Sequence, residues 1–316
     1  MADITLSPDR LQRTQTPATR RRASLRNFKA QGLAWLLALP ALFLMAMLLL
    51  GPLLAVVVLS FTDYSLGNAS LDWRGLDNYQ AMLGDDIFYK SISNTLVYVG
   101  IVVPGSLILG LGAALLIESL TRGKAFWRAV YFLPVMATLI AMAIVWEFMM
   151  SARFGIIPQT LALFGFPAKN WLQETATALP VLCIIGIWQS LGFNMVLFMA
   201  GLSGIPRTLY EALELDGGSS AWTRFWTITW PMLAPVTMFV VIITAIRSFQ
   251  VFDTVHVLTK GGPNNATMVL IYQIYQEGFD FFRSSYAAAL TVVFLVFIFI
   301  LTVIKARTIE NKVHYS

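Results

Sequence analysis

The chain contains few residues of the kinds that most catalytic and metal-binding sites need. Its 316 residues include one cysteine, Cys183, and two histidines, His256 and His314. A single cysteine cannot form an intrachain disulfide, and two distant histidines offer no ligand cluster with workable spacing for a metal ion. An intramembrane enzyme would need paired acids or a Ser/His set, which this residue content disfavours. We therefore expect no metal site and no catalytic residues.

Charged residues are also scarce. They make up 12% of the chain, whereas 57% of it is hydrophobic and the mean hydropathy is +0.70. Typical soluble domains are about 25% charged, so the composition excludes an ordinary soluble domain and predicts an integral membrane protein. The sequence also lacks a GxxxxGK[ST] loop, and the polypeptide is therefore not expected to bind ATP through a P-loop.

Long apolar runs divide the chain. About 20 apolar residues cross the hydrocarbon core of a bilayer as a helix. Six segments reach that length: 34–60, 94–117, 127–150, 179–202, 232–256 and 286–305. Because lipid does not tolerate exposed irregular backbone, they predict an all-α fold, a polytopic membrane bundle of six transmembrane helices. The transmembrane domain is assigned to 31–306, between a basic tail at 1–30 and a short tail at 307–316.

The distribution of lysine and arginine predicts the orientation. Fifteen of these residues lie in the first tail, the loop 118–128, the loop around Glu211 and the C-terminus; six lie on the opposite side, and Arg247 lies inside a span. The positive-inside rule then places both termini and the Glu211 loop in the cytoplasm. Membrane anchoring explains the basic tail without a nucleic-acid partner.

The segment 203–231 is a polar interruption between the fourth and fifth predicted spans. Pro206 suits the first turn of a short helix, because that position needs no N–H donor, and the Gly-Gly pair at 217–218 can end the helix in the left-handed conformation. A second short helix can start from a serine cap at 219 or 220 and run over 221–228, before Pro231. The residues alone leave two interpretations open, an ordinary structured loop and a docking site for another protein.

Three sequence motifs resemble those of a known family. The motif Glu211-Ala212-x-x-x-Asp216-Gly217, followed by Ile-Thr-Trp-Pro at 228–231, resembles the EAA loop of permease subunits of binding-protein-dependent ABC importers, specifically the carbohydrate-uptake (maltose-type) family. The segments F-T-D-Y…G-L-D-N-Y at 61–79 and T-x-G-G-P at 259–263 resemble further family signatures. The chain departs from the family at Leu213, usually alanine, at Trp230, usually leucine, and in one extra residue between 217 and 228.

The resemblance implies a transport subunit of the bacterial inner membrane, without an ATPase site or a cofactor of its own. Its expected partners are membrane lipid, a small-molecule solute, a second homologous permease subunit, two copies of an ATP-binding subunit that binds the ATP, and a periplasmic solute-binding protein. The residues implied to couple the permease to the ATPase are Tyr210, Glu211, Ala212, Leu215, Asp216 and Gly217. The alternative is an ion-gradient-driven secondary transporter, which an inverted repeat or a midplane carboxylate pair would indicate.

Polar residues inside the predicted spans mark a candidate path for the solute, since such residues are costly in lipid. The family pattern implies that six positions on the fourth and fifth spans line a site midway through the membrane: Gln189, Ser190, Phe193, Thr244, Ser248 and Val251. Their hydroxyl, amide and aromatic groups suit a sugar, polyol or glycerol derivative. The structural alternative for each is an interhelical hydrogen bond.

Arg247 is the charged residue inside the fifth span, and two interpretations remain open for it. An unpaired buried arginine is expensive, so we favour a structural ion pair with Asp253 or Glu147. Alternatively, Arg247 faces the path and contacts an anionic solute such as a sugar phosphate or sulfonate. The C-terminal residues 310–315 resemble those of glycerol-phosphate permeases, which points towards the second interpretation.

Overall fold

The computed structural model describes residues 35–310 except 68–70, 166, 168 and 219. The described residues form helices and connecting loops, with one isolated antiparallel bridge between Thr62 and Trp73. The all-α prediction is therefore confirmed over this part of the chain. The tail 1–30 and residues 311–316 lie outside it, whereas residues 307–310, assigned to the C-terminal tail, continue the last helix.

The first structural unit ends at Val58 and is described by one apolar helix, α1, Trp35–Leu59. A single π-helical turn, Ala46–Leu50, interrupts its regular α geometry, and the N–H of Gly51 closes this turn on the carbonyl of Ala46. Pro52 follows directly. A proline has no N–H and its ring collides with the carbonyl one turn earlier, so a locally widened turn relieves both problems.

The second unit, from Leu59 onward, contains the remaining helices. In chain order they are α2 Asp77–Leu83, α3 Asp86–Ser119, α4 Lys124–Met136, α5 Leu139–Met149, α6 Ile156–Leu163, α7 Ala178–Ser203, α8 Arg207–Leu215, α9 Ala221–Arg224, α10 Trp230–Phe249, α11 Asp253–Leu258, α12 Leu270–Tyr275 and α13 Ser284–Glu310. A π-helical turn, Phe225–Thr229, joins α9 to α10, and another, Gln276–Asp280, follows α12.

Six spans were predicted, and the described helices match that number only in part. Four helical segments among the described residues are long and apolar enough to cross a membrane: Trp35–Leu59, Asp86–Ser119, Ala178–Ser203 and Ala221–Leu258, the last of which contains non-helical backbone at residues 250–252. The third predicted span, 127–150, is instead two helices, α4 and α5, bent by 99°. Ala137 and Thr138 between them have extended backbone, with ψ of 143° and 136°. Hydropathy does not register so short a break in an apolar run. The sixth predicted span corresponds to α13, whose apolar part, Ser284–Ile300, is shorter than the four segments above.

Helices α3 and α7 pack closely because glycines remove side chains from their contacts. A Cβ atom at Gly110 of α3 would lie 2.9 Å from Cβ of Asn194. A Cβ atom at Gly192 of α7 would lie 2.1 Å from the carbonyl oxygen of Tyr131, which belongs to α4. Close backbone approach at small residues is a general basis of helix association in membranes. These glycines therefore set the spacing of α3, α4 and α7.

A hydrophobic cluster, called here the loop-side cluster, joins the C-terminal ends of α3 and α7 to the segment that follows α7. Its buried members are Ala113, Ala114, Ile117, Met195, Phe198, Met199, Ile205, Ile228, Leu233 and Val240. The cluster identifies one end of the helices as the end that carries the polar loop 203–231. The loop therefore packs directly on α3, α7 and α10.

The opposite ends of the helices are joined by a partly buried polar network around Asp85. The Oδ1 atom of Asp85 accepts a hydrogen bond from the N–H of Ile87 at 2.9 Å and so caps α3. Its Oδ2 atom accepts hydrogen bonds from the hydroxyl of Tyr286 at 2.7 Å and from Nε2 of Gln273 at 3.1 Å. Nearby, burial raises the pKa of the Glu277 carboxyl, even though an Arg283 guanidinium nitrogen lies 2.6 Å away. The network fastens α12 and α13 to the start of α3.

We predict that Gly192→Ala destabilises the folded chain. The added methyl group would meet a backbone carbonyl, which cannot rotate away, so α4 would have to move; overpacking of this kind costs about 1–3 kcal/mol. Gly112→Ala is the matched control, because a Cβ atom at Gly112 of α3 meets nothing within 4 Å. Thermal unfolding of the purified chain in detergent measures both, and equal Tm values for the two variants would contradict this packing.

Candidate functional site: a coupling helix and a membrane cavity

The polar loop 203–231 begins with a short helix of the predicted kind. Pro206, with φ −61° and ψ 132°, precedes α8. The helix ends at Leu215; Gly217, just beyond it, has a φ of +83°, and the N–H of Gly218 donates to the carbonyl of Leu213 at 2.8 Å. A left-handed residue followed by a hydrogen bond of this span is the usual glycine-dependent helix stop. The geometry matches the expectation from the sequence.

The two faces of α8 have different surroundings. Tyr210 and Leu213 pack against the loop-side cluster, and Tyr210 Oη lies 3.0 Å from Oγ1 of Thr229 at the start of the next span. The other predicted coupling residues are exposed: Glu211, Ala212, Leu215, Asp216 and Gly217. Leu215 is 90% exposed at the last residue of the helix, an unusual position for a leucine. One face is thus fixed to the spans, and the other is free to meet a partner.

The second half of the loop differs from the sequence expectation. Ser220 accepts the N–H of Trp222 at 3.3 Å and caps α9, and Ser219 lies outside the described residues. The sequence predicted that this helix ends before Pro231. In the structure it continues past Pro231 through a π-helical turn, which the N–H of Trp230 closes on the carbonyl of Phe225. As at α1, the widened turn precedes a proline.

A cavity of about 290 Å³ lies among α3, α4, α7, α10 and α11. Four of the six predicted path residues line it: Gln189, Ser190, Ser248 and Val251. The sequence did not identify several further lining residues: Tyr98, Val102, Val135, Gly186, Phe252 and Thr254. Tyr98, Val102 and Val135 come from spans with no polar pattern at those positions, so only their spatial arrangement could find them.

The cavity coincides with a break in the fifth span. The helical backbone stops after α10 and resumes at α11, so the predicted continuous span 232–256 is interrupted at residues 250–252. Non-helical backbone at membrane depth is tolerated only where it is buried in protein or lines a cavity. All three residues of this break line the cavity. Interrupted helices of this kind form the solute sites of many transporters.

Thr244 lies outside this cavity, although the family pattern implied a path position. It is buried, and its Oγ1 donates to Oδ1 of Asn194 at 3.0 Å. Nδ2 of Asn194 donates in turn to Oγ of Ser106 at 3.2 Å. This chain of bonds connects α10, α7 and α3. Thr244 therefore forms an interhelical hydrogen bond, which was the structural alternative to a position on the solute path.

Arg247 lines the cavity with its guanidinium above the ring of Phe193, at 4.2 Å from Cζ to the ring centroid. Phe193 does not itself line the cavity, but it contacts Arg247, which does. The ion pairs that the described residues form do not include Arg247. Asp253 lines the same cavity, and Glu147 is exposed on α5. The charge of Arg247 is therefore directed at the cavity and stabilised by an aromatic face.

Comparison with known proteins identifies the class of protein that this geometry belongs to. The profile of the family described as binding-protein-dependent transport system inner membrane component matches residues 106–310. The chain belongs to this family and is a multi-pass permease subunit of the inner membrane. The expected family resemblance is confirmed, and the alternative of a secondary transporter is set aside. A permease of this family is a transport subunit and not by itself an enzyme.

Two relatives show the likeness over nearly the whole chain. The sn-glycerol-3-phosphate transport system permease protein UgpA of Escherichia coli O157:H7 is 31% identical over 290 residues, covering 92% of this chain and 98% of that protein. The protein of the same name from Yersinia enterocolitica is 30% identical over 292 residues, with the same coverage of 92% and 98%.

Two solved structures share the fold. The crystal structure of a bacterial ABC transporter involved in the import of the acidic polysaccharide alginate matches with a TM-score of 0.79 and 20% identity, over 92% of this chain and 100% of that chain. The structure of a bacterial alginate ABC transporter in complex with its alginate pentasaccharide-bound periplasmic protein matches with a TM-score of 0.76 and 21% identity, over 89% and 94%.

We predict that Ser190→Cys reacts with small water-soluble thiol reagents, whereas Thr244→Cys does not. Ser190 lines the cavity, but Thr244 is 2% exposed and its hydroxyl is held by Asn194. Both variants are made in a Cys183→Ser background, and labelling is followed by mass spectrometry of the purified chain. Equal labelling of the two cysteines would show that the cavity is not the water-accessible space.

Proposed function

We propose that this chain forms one half of the membrane path of an ABC importer for a sugar, a polyol or a glycerol derivative. The second half is a homologous permease subunit, and a periplasmic binding protein delivers the solute. The observation that carries the proposal is the cavity at the interruption of the fifth span, where amide, hydroxyl and guanidinium groups meet an aromatic ring. Such groups suit a polyhydroxyl solute, and a path shared between two subunits needs only part of its wall from each.

The energy comes from a separate ATPase, of which we propose two copies per transporter. The chain itself has no P-loop sequence, and we propose that it has neither a nucleotide site nor a cofactor of its own. In this arrangement both termini and the loop 203–231 face the cytoplasm. The exposed face of α8, with Glu211 and Leu215, docks in a cleft of one ATPase subunit. Glu211 supplies a charge or hydrogen bond, Ala212 permits close approach, and Gly217 makes the turn.

The inner face of α8 transmits the movement of the ATPase. Tyr210 and Leu213 pack on the loop-side cluster, which contains residues of α3, α7 and α10. The Tyr210–Thr229 hydrogen bond connects the same helix to the start of the span that ends at the cavity. A rigid displacement of α8 therefore moves the helices that surround the solute and alternates access to the cavity, as rocking of bundles does in other transporters.

The solute carries a negative charge in this proposal. Arg247 points to the cavity, and none of the ion pairs formed within the described residues neutralises it. The named solutes of the relatives, sn-glycerol-3-phosphate and an acidic polysaccharide, are both anionic. We therefore propose that Arg247 contacts the anionic group of the solute, in place of the structural ion pair with Asp253 or Glu147 that the sequence favoured. Gln189, Ser190 and Ser248 supply partners for its hydroxyl groups.

We predict that Glu211→Ala and Gly217→Val leave membrane insertion intact but weaken association with the ATP-binding subunit. A β-branched residue at a φ of +83° costs about 1–3 kcal/mol and shifts the end of α8. The measurement is the amount of ATP-binding subunit that co-purifies with the tagged permease, together with solute-stimulated ATP hydrolysis of the assembled transporter.

The matched control is Gly75→Val. Gly75 has a φ of +61°, and a Cβ atom there meets nothing within 4 Å, so the backbone strain is similar but lies in the loop between α1 and α2. It should leave association at the wild-type level. Normal association and coupled hydrolysis in both Glu211→Ala and Gly217→Val would exclude α8 as the coupling element.

We also predict that Arg247→Gln selectively lowers the uptake of an anionic solute. Loss of a hydrogen bond to a charged group costs about 1.5–3 kcal/mol, which corresponds to roughly tenfold to hundredfold weaker interaction. The reconstituted transporter is tested with sn-glycerol 3-phosphate as the anionic probe and glycerol as the neutral one. The folded yield should stay normal, and Arg247→Lys should retain part of the uptake.

The structural ion pair makes the opposite prediction. In that case Arg247→Gln lowers the folded yield for every solute, and a second change, Glu147→Gln or Asp253→Asn, partly restores it. A reduced yield that such a second change rescues would overturn the contact of Arg247 with the solute.

A further inference from the structure

A second, mainly apolar groove of about 270 Å³ lies at the loop-side end of the helices, away from the solute cavity. It is formed by the last two turns of α3 and by the first half of α4, and its lining residues are Ala113, Leu116, Ile117, Ser119, Leu120, Trp127 and Tyr131. Ala113 and Ile117 also belong to the loop-side cluster, which places the groove on the same side of the membrane as α8. No residue of the groove lines the solute cavity.

Cationic side chains stand beside this groove. Lys124, Trp127, Arg128 and Tyr131 follow one another on α4 at spacings of three and four, so they share one face of the helix. The rings of Trp127 and Tyr131, whose centroids are 6.3 Å apart, are part of the groove wall. Arg122 lies in the connection between α3 and α4. The face therefore presents an apolar slot and positive charges next to each other.

The charges differ in how far they are already neutralised. Lys124 lies 3.2 Å from a carboxylate oxygen of Glu118 and also donates to the carbonyl of Glu118 at 2.7 Å. The ion pairs among the described residues include neither Arg122 nor Arg128, and both side chains are exposed. Two guanidinium groups thus remain available to an anion that arrives from outside the chain.

We propose that this groove binds one anionic phospholipid. Its phosphate contacts Arg122 and Arg128, and a segment of one acyl chain occupies the slot between Leu116 and Trp127. An amphiphile with a net negative head group matches both parts of the surface. A soluble anion would leave the slot unfilled, and a zwitterionic lipid, whose head-group cation balances its phosphate, would leave the two positive charges uncompensated. Basic pockets between membrane helices on the cytoplasmic side favour anionic head groups in this way. The assignment to the cytoplasmic leaflet rests on the proposed orientation.

Bound lipid would support the contact between α4 and α7. The carbonyl of Tyr131 lies against Gly192, so one side of α4 is closely packed on α7. Another side of α4 forms a wall of the groove. A lipid chain between α3 and α4 fills the open side of this arrangement. It binds at the end of the helices that the coupling loop moves.

The test is native mass spectrometry of the full chain with equal amounts of palmitoyl-oleoyl phosphatidylglycerol and phosphatidylcholine. The wild-type chain should retain phosphatidylglycerol in preference to phosphatidylcholine. Arg122→Gln/Arg128→Gln should lower the retention of phosphatidylglycerol by about fivefold for each cation removed and lower that of phosphatidylcholine less, so that the preference between the two lipids is lost. Leu116→Trp, which fills the slot, should lower the retention of both lipids.

The matched control is Arg153→Gln/Lys260→Gln, which removes the same charge from exposed positions in loops distant from the groove along the chain. It should not change lipid retention. Equal binding of the two lipids by the wild-type chain, or an equal loss in the control and in Arg122→Gln/Arg128→Gln, would overturn the proposal. Loss of the preference in the assembled transporter would also overturn it, because a partner subunit would then cover the groove. If the double variant does not fold, Arg128→Gln and Leu116→Trp provide the same comparison.

Discussion

The absence of water in the hydrocarbon core is the constraint on which the rest of this structure depends. Every backbone N–H and carbonyl inside the bilayer must find a partner within the protein, so the spans are helical and irregular backbone is confined to places where protein or a cavity surrounds it. The interruption at residues 250–252 lies at such a place, since all three residues line the cavity. The two π-helical turns before Pro52 and Pro231 have the same cause. Each keeps the neighbouring backbone groups hydrogen-bonded within the helix, although proline itself has no N–H to donate.

Close packing at glycines connects the loop 203–231 with the cavity through the helices that lie between them. Gly110 and Gly192 let α3, α4 and α7 approach until backbone meets backbone. The buried bonds from Ser106 through Asn194 to Thr244 then join α3, α7 and α10. At one end these helices hold α8 through the loop-side cluster, and towards the other they surround the cavity. A force applied to α8 therefore reaches the cavity through packed elements with little freedom to absorb it.

The short-range features of the candidate site could be predicted from the sequence. The helix from Arg207 to Leu215 and its left-handed stop at Gly217 depend on local rules for proline and glycine, and the structure has both. The prediction failed at Pro231, where the helix continues, because a widened turn is an alternative to a helix end that sequence rules do not distinguish. It also missed the break in 127–150 and the cavity residues Tyr98 and Val135, since hydropathy measures only the polarity of a segment.

The amino-acid sequence by itself determined the class of protein. Apolar length, the loop motif and the scarcity of charge are properties of neighbouring residues, and they identified a helical membrane permease. The roles of individual polar residues in the spans were decided only by the tertiary structure. Thr244 and Ser248 have the same chemistry and lie one turn apart, yet Thr244 is bonded to Asn194 while Ser248 lines the cavity. The direction in which Arg247 points was also decided there, because the partner of a side chain depends on which helices meet, and spacing along one helix contains no such information.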